Sequence, residues 1–329
     1  MARSAFILLI IPKNIKSEGG SRSTTCNFGL LLFLRVKNIG IGLLFSILWS
    51  SASVATKFGV QSAAPLILAN VRFFIAGILL LSFSYLFVKN KAYRLPTKKE
   101  WQQLALFGFL NTTLYLGLYV YAMKYTAAGI GSLAVSTNPL IIVLLSSWWL
   151  KRKPKAEEWA GIILGMGGVA VATYPLLADS YTTIGGITLL LISMVTVSAA
   201  SVYYATVKWE LPNLLINGWQ VFLGGVFLLP FTLVMADFGT ARLDPVFWGS
   251  VLWLSLAVSI VGLICWFYLL RIDTVKASLW LFLCPLFGFF FAWWLMGEPV
   301  TIYTVFGTVL VVAGLYAGQR TKLAGKKRA

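Results

Sequence analysis

The sequence predicts an all-α integral membrane protein whose ten transmembrane helices form two inverted five-helix repeats. Three observations carry this. The composition is too apolar for a soluble fold, ten apolar runs have spanning length, and a repeat divides those runs five and five. Of 329 residues, 59% are hydrophobic and 11% charged, against about 45–50% and about 25% in soluble domains. So few charges cannot cover so much apolar surface in water, whereas lipid lets the outside be as apolar as the inside.

Runs near the length of about 20 residues needed to cross a hydrocarbon core fall at 39–57, 66–88, 101–123, 126–150, 158–176, 184–206, 214–236, 246–270, 274–296 and 302–319. Only Lys124 and Tyr125 separate the third run from the fourth. Residues 1–38 do not fit the pattern: Phe6 to Ile11 is too short to span, and a Ser/Gly/Asn-rich stretch follows. They read as a disordered N-terminal extension, the other reading being a start assigned upstream of the native one. Residues 320–329 form a basic tail.

The net charge of +17 comes in short clusters between apolar runs rather than one patch, which points away from nucleic acid and toward topology. With a cytoplasmic N-terminus, the inside segments 1–38, 89–100, 151–157, 207–213, 271–276 and 320–329 hold 23 of the 27 Lys and Arg. Lys57, Lys124 and Arg242 fall outside, and Arg72 lies within a span. Both termini are therefore expected in the cytoplasm, in the inner membrane of a cell. Histidine is absent, and Cys26, Cys265 and Cys284 form no C-x-x-C pair. No catalytic residue, cofactor, metal site or disulfide framework is expected.

The repeat has a period of about 146 residues. Trp148-Trp149-Leu150-Lys151-Arg152-Lys153-Pro154 matches Trp293-Trp294-Leu295-Met296-Gly297-Glu298-Pro299. Gly161, Leu164 and Gly168 match Gly307, Leu310 and Gly314, and Asn138-Pro139-Leu140 matches Cys284-Pro285-Leu286. Ser50-Ser51-Ala52-Ser53-Val54 matches Ser198-Ala199-Ala200-Ser201-Val202, and Arg72 falls opposite Gln220. Residues 39–176 make the first repeat and 184–319 the second. Five is odd, so the second half must be inverted, and the cations after Trp149 that are missing after Trp294 agree. Inverted repeats are a signature of alternating-access carriers.

Leu48-Trp49-Ser50, Arg72, Tyr121-Ala122-Met123-Lys124-Tyr125-Thr126-Ala127-Ala128, Pro139 and Gly297-Glu298-Pro299 carry a further resemblance. On them, residues 38–319 resemble the drug/metabolite transporter superfamily, specifically its EamA-type ten-helix transporters. Arg271-Ile272-Asp273-Thr274-Val275-Lys276-Ala277 is a looser version of the second-half motif. The resemblance implies two inverted repeats around a central cavity. It also implies transport, often export, of amino acids, other metabolites or drugs, without fixing the solute.

Several side chains are candidates for the cavity. Ser46, Trp49, Ser50, Ser53, Thr56 and Lys57 recur at three- and four-residue steps, a polar stripe on span one. Asn111, Tyr115 and Tyr119 make a similar face on span three, with Ser136 and Asn138 on span four. Trp266 and Trp280 lie deep enough to stack on a solute. For the Ser residues, interhelical hydrogen bonding is the competing reading. Arg72 is the one charge well inside a span, a placement that costs about 2.5–3.5 kcal/mol on insertion scales. It reads as a cation on the cavity wall, a clamp between spans, or a side chain snorkelling to the interface. Pro139 and Pro285 read as hinges or static kinks. Gly161, Gly165, Gly168, Gly314 and Gly318 make small-residue faces for close packing, with homodimerisation the alternative.

The expected partners are a small organic solute and the bilayer. The leading function is a carrier, an exporter of amino acids or related metabolites. A multidrug or nucleotide-sugar carrier of the same superfamily is the nearest alternative. A membrane enzyme lacks its acid–base groups, and a channel or sensor lacks a filter or an appended domain. No Asp, Glu or His lies deep within a span to provide a proton relay, so facilitated diffusion or exchange stands beside proton antiport.

Overall fold

Several helices begin where a side chain caps the first turn or a proline removes a donor from it. Thr97 and Glu100 form a reciprocal capping box, Thr183 accepts from Gly186 N, Asp244 accepts from Phe247 N, and Pro65 and Pro245 open helices that need no donor there. In this computed structural model, residues 24–88, 90–149, 156–178, 181–272 and 280–325 are described. The helices are α1 (Thr24–Ser62), α2 (Pro65–Phe87), α3 (Lys98–Met123), α4 (Ala128–Trp149), α5 (Ala156–Ala178), α6 (Ile184–Thr206) and α7 (Asn213–Met235). Then α8 runs through Pro245–Leu252, Trp253–Gly262 and Leu263–Ile272, followed by α9 (Cys284–Met296) and α10 (Ile302–Gly325). No strand occurs among the described residues.

Seven helices are long and apolar enough to cross a membrane, and the shorter apolar helices at Ala128–Ile142, Cys284–Met296 and Ile302–Gly314 fall where the fourth, ninth and tenth spans are expected. Large apolar side chains such as Ile78, Leu79, Phe231, Trp293 and Phe306 stand exposed on the outer surface, as lipid allows.

Three boundaries differ from the sequence reading. Helix α1 starts at Thr24, within the stretch expected to be disordered. Within span nine a 3-10 turn, Trp280–Leu283, leads into an α-helix that begins at Cys284, residues 273–279 lying outside the described ones. Pro285 therefore lies in a first helical turn, where its missing N–H costs nothing, rather than breaking a mid-span helix. Helix α10 continues to Gly325, into the basic tail.

The halves interleave. Helix α2 packs on α7, its repeat mate, and α5 on α10, while α1 lies against α8 and α9 and α6 against α3 and α4. Glycines set the α5–α10 approach: a Cβ on Gly168 would stand 2.5 Å from Gly307 O, and one on Gly314 would stand 2.7 Å from Gly161 O. The glycine faces expected as a route to a homodimer are thus filled within the chain, with Gly318 outside the described side chains. On α2 and α7, Gly77 faces Phe222, and the Asn70 amide donates to the Thr232 hydroxyl.

The helix ends gather as an up-and-down bundle requires. At one end Arg242 N donates to Ser62 O (2.8 Å) and Thr183 N to Tyr125 O (2.9 Å). At the other end Arg94 bridges Glu100 (2.7 Å) and Glu210 (3.3 Å), and Trp219 Nε1 donates to Tyr85 Oη (3.0 Å). Segments expected on one side of the membrane therefore meet one another.

The third helix of each repeat contains a π-helical stretch, Phe109–Leu116 in α3 and Trp253–Gly262 in α8. The two stretches occupy equivalent positions in the repeat, about 146 residues apart. Such widenings collect at functional positions in helices.

Candidate functional site

The expected cavity stripe of α1 is largely consumed by its own backbone. Ser46 Oγ donates to Gly42 O (3.0 Å) and Trp280 O (2.8 Å), Ser50 Oγ to Ser46 O (2.5 Å), and Ser53 Oγ to Ser50 O (2.9 Å). This is the usual way for hydroxyls to be satisfied inside an apolar helix. Ser53 is buried, and Ser46 ties α1 to the start of span nine. The aromatics expected to stack do come together, although on one another. Phe45 stacks on Trp266 (4.9 Å) and lies 5.5 Å from Trp49, and Trp280 covers Gly42, where a Cβ would run into its ring. Trp49, Trp266 and Trp280 are half-buried around Phe45.

Arg72 occupies the contact between the halves. Its Nη2 donates to Ser259 Oγ (3.2 Å), and Ser255 Oγ donates to Arg72 O (3.2 Å). Ser255 and Ser259 both lie in the π-helical stretch of α8. Arg72 is only 5% exposed, and its Nε is buried without a hydrogen bond. The guanidinium does not snorkel to water. Tyr115 and Tyr119, also buried and with rings 6.2 Å apart, are its electrostatic neighbours, and Phe73 lies beneath it at 5.9 Å. Neither tyrosine hydroxyl makes a hydrogen bond among the described residues.

Gln220, the repeat mate of Arg72, makes the mirrored contact to α3. Its Oε1 accepts from Thr112 Oγ1 (2.6 Å) and Asn111 Nδ2 (3.2 Å), and its Nε2 donates to Asn217 Oδ1 (2.9 Å). Asn111, expected on a cavity face, is spent here between α3 and α7. Asn138 accepts from Ser198 Oγ (2.5 Å), joining α4 to α6. The side chains of Ser136 and Pro139 lie outside the described residues.

The sequence reading missed one cluster. Ala127, at the start of α4, has no capping side chain, yet the end is buried. Glu298 supplies the cap, accepting from Ala128 N (2.6 Å) and Gly129 N (3.1 Å), while Thr182 Oγ1 accepts from Ala127 N (3.0 Å). Lys57 Nζ donates to Thr126 O (2.5 Å) beside it. Gly297 makes this reach feasible: at φ 64° it closes α9 in the left-handed conformation, with Gly297 N on Trp293 O and Glu298 N on Ala292 O. Burial pushes the Glu298 carboxyl above its usual range, against the two N–H groups that favour the charged form. The signal was present in Gly297-Glu298-Pro299, but only three dimensions show what the glutamate caps.

Among the described residues no group of His, Cys, Asp or Glu is arranged to hold a metal ion.

Taken together, the helices form a polytopic bundle of two interleaved halves with a buried cation between them. The chain belongs to the EamA-like transporter family, whose model matches residues 37–174 and again 184–317. It is 26% identical over 274 residues to an uncharacterized transporter of Archaeoglobus fulgidus, covering 82% of this chain and 93% of that one. It is 24% identical to the uncharacterized transporter YoaV of Bacillus subtilis over 273 residues, 82% and 92% of the two chains. It is 27% identical to the uncharacterized inner membrane transporter YedA of Escherichia coli over 286 residues, 84% and 91%. A solved crystal structure, 18% identical, superposes with a TM-score of 0.62 over 89% of this chain and 99% of that one, a likeness of fold.

Proposed function

We propose that this protein is a carrier, not an enzyme, that exports amino acids or related small organic solutes across the inner membrane by alternating access. The observation that carries the reading is the Arg72–Ser259 contact. It joins α2 of the first repeat to α8 of the second at a buried charge that no carboxylate pairs with among the described residues. A buried charge between two halves that can rock is where a solute site is expected in inverted-repeat carriers. The π-helical stretches of α3 and α8 supply backbone that can re-register as the halves move. The loop charges support cytoplasmic termini, and the name of YedA supports the inner membrane.

Comparative metabolite profiling tests this reading. Cells lacking the protein should accumulate a defined set of small solutes, and overproducing cells should release the same set to the medium. Identical profiles across a broad panel in both strains would count heavily against it.

A further inference from the structure

The proposal below rests on the carrier reading and specifies its solute. All ten acidic residues of the chain lie outside the middles of the spans. Arg72 thus has no carboxylate to answer its charge, and arginine cannot shed that charge by deprotonating. A guanidinium offers five N–H donors. Among the described residues one hydroxyl, Ser259, accepts from Nη2, and Nε has no acceptor. The two phenols beside it, Tyr115 and Tyr119, can each donate a further hydrogen bond. Each phenol oxygen can also accept, yet the five guanidinium N–H groups still outnumber the side-chain acceptors found beside them among the described residues. A buried cation is tolerable when an anion pairs with it at hydrogen-bonding distance.

The repeat-related position sharpens the count. Gln220 is neutral, and its amide is already bonded to Thr112, Asn111 and Asn217. Among the described residues of these two positions, one cation is thus left unanswered. Trp49 lies against Gly262, within the same π-helical stretch of α8 that holds Ser259, which puts an aromatic surface on this stretch. We infer that the transported solute bears a single carboxylate, which binds Arg72 and receives hydrogen bonds from Tyr115 and Tyr119 as the halves separate.

The test uses the full chain purified and reconstituted in liposomes, with matched pairs of probes: 3-phenylpropionate and its amide, L-phenylalanine and L-phenylalaninamide. Competition for counterflow and ligand-induced shifts in thermal unfolding are read for each. Each carboxylate should act at a concentration at least ten-fold lower than its amide. Arg72→Gln should erase that preference, and Arg72→Lys should keep part of it. Should Arg72→Gln fail to fold, Tyr115→Phe and Ser259→Ala are read instead: Tyr115→Phe should weaken the carboxylate several-fold more than the amide, and Ser259→Ala should leave the preference in place. Equal responses to acid and amide, or a preference that survives Arg72→Gln, would overturn the anion site while leaving the carrier intact. Absence of saturable flux for any probe or for any member of a panel of amines and sugars would count against both.

Discussion

Glu298 closes the first turn of a helix that begins 170 residues earlier, its carboxylate 2.6 Å from Ala128 N. The loop after α9 thereby holds the start of α4, and the second repeat is fastened to the first at one end of the bundle. With Lys57 on Thr126 O, the contact satisfies groups that the Thr126-Ala127-Ala128-Gly129 sequence cannot satisfy for itself.

Glu298→Ala is expected to strand two buried N–H groups, at about 1–3 kcal/mol each. Glu298→Gln retains one acceptor and should lose less. Thermal unfolding of the purified protein in detergent, ranked wild type above Gln above Ala, checks the order.

The α5–α10 seam predicts a contrast between neighbouring glycines. Gly168→Ala would drive a methyl into Gly307 O and Val311 N, whereas Gly167 has nothing within 4 Å. Gly168→Ala should destabilise by about 1–3 kcal/mol. Gly167→Ala should be neutral or slightly stabilising, since alanine favours the helix. Unfolding midpoints of the two variants, compared side by side, decide this.

Thr112 and Gln220 should be energetically coupled. A double-mutant cycle with Thr112→Val and Gln220→Leu is expected to give about 0.6 to 1.7 kcal/mol, the range of hydrogen bonds between membrane helices. Additive effects would mean that the 2.6 Å contact contributes nothing beyond packing.

The start of α8 should respond to acid. The N–H of Phe247 (2.8 Å), helped by the Ser62 hydroxyl (3.2 Å), holds the Asp244 carboxyl below its ordinary range. The folded pKa lies below the unfolded one, so the cap's contribution is complete above the unfolded value. It is lost as pH falls through the folded value. Hydrogen exchange at Phe247, corrected for its intrinsic pH dependence, should lose protection as pH falls below the ordinary carboxylate range. Asp244→Asn should remove that dependence.

Much of this architecture was legible in the chain because lipid constrains it strongly. Span length, loop charge and the repeat each follow from simple physics, and the repeat alone sets Arg72 opposite Gln220. The side-chain roles were less legible. Ser46, Ser50 and Ser53 looked like a polar face, but a buried hydroxyl bonds its own helix most cheaply, and periodicity cannot tell the two apart. Asn111 looked like a cavity residue because its partner, Gln220, is distant in sequence. The π-helical widenings of α3 and α8 leave no pattern in composition, and the Glu298 cap pairs residues from opposite halves.

The central claim, that the chain is a carrier, is tested most directly by solute counterflow in liposomes reconstituted with the purified protein. The cellular metabolite differences should supply the labelled solute. The account predicts saturable uptake accelerated by unlabelled solute on the far side and diminished in Arg72→Gln. Flux that rises linearly with concentration, without acceleration from the far side, would contradict it.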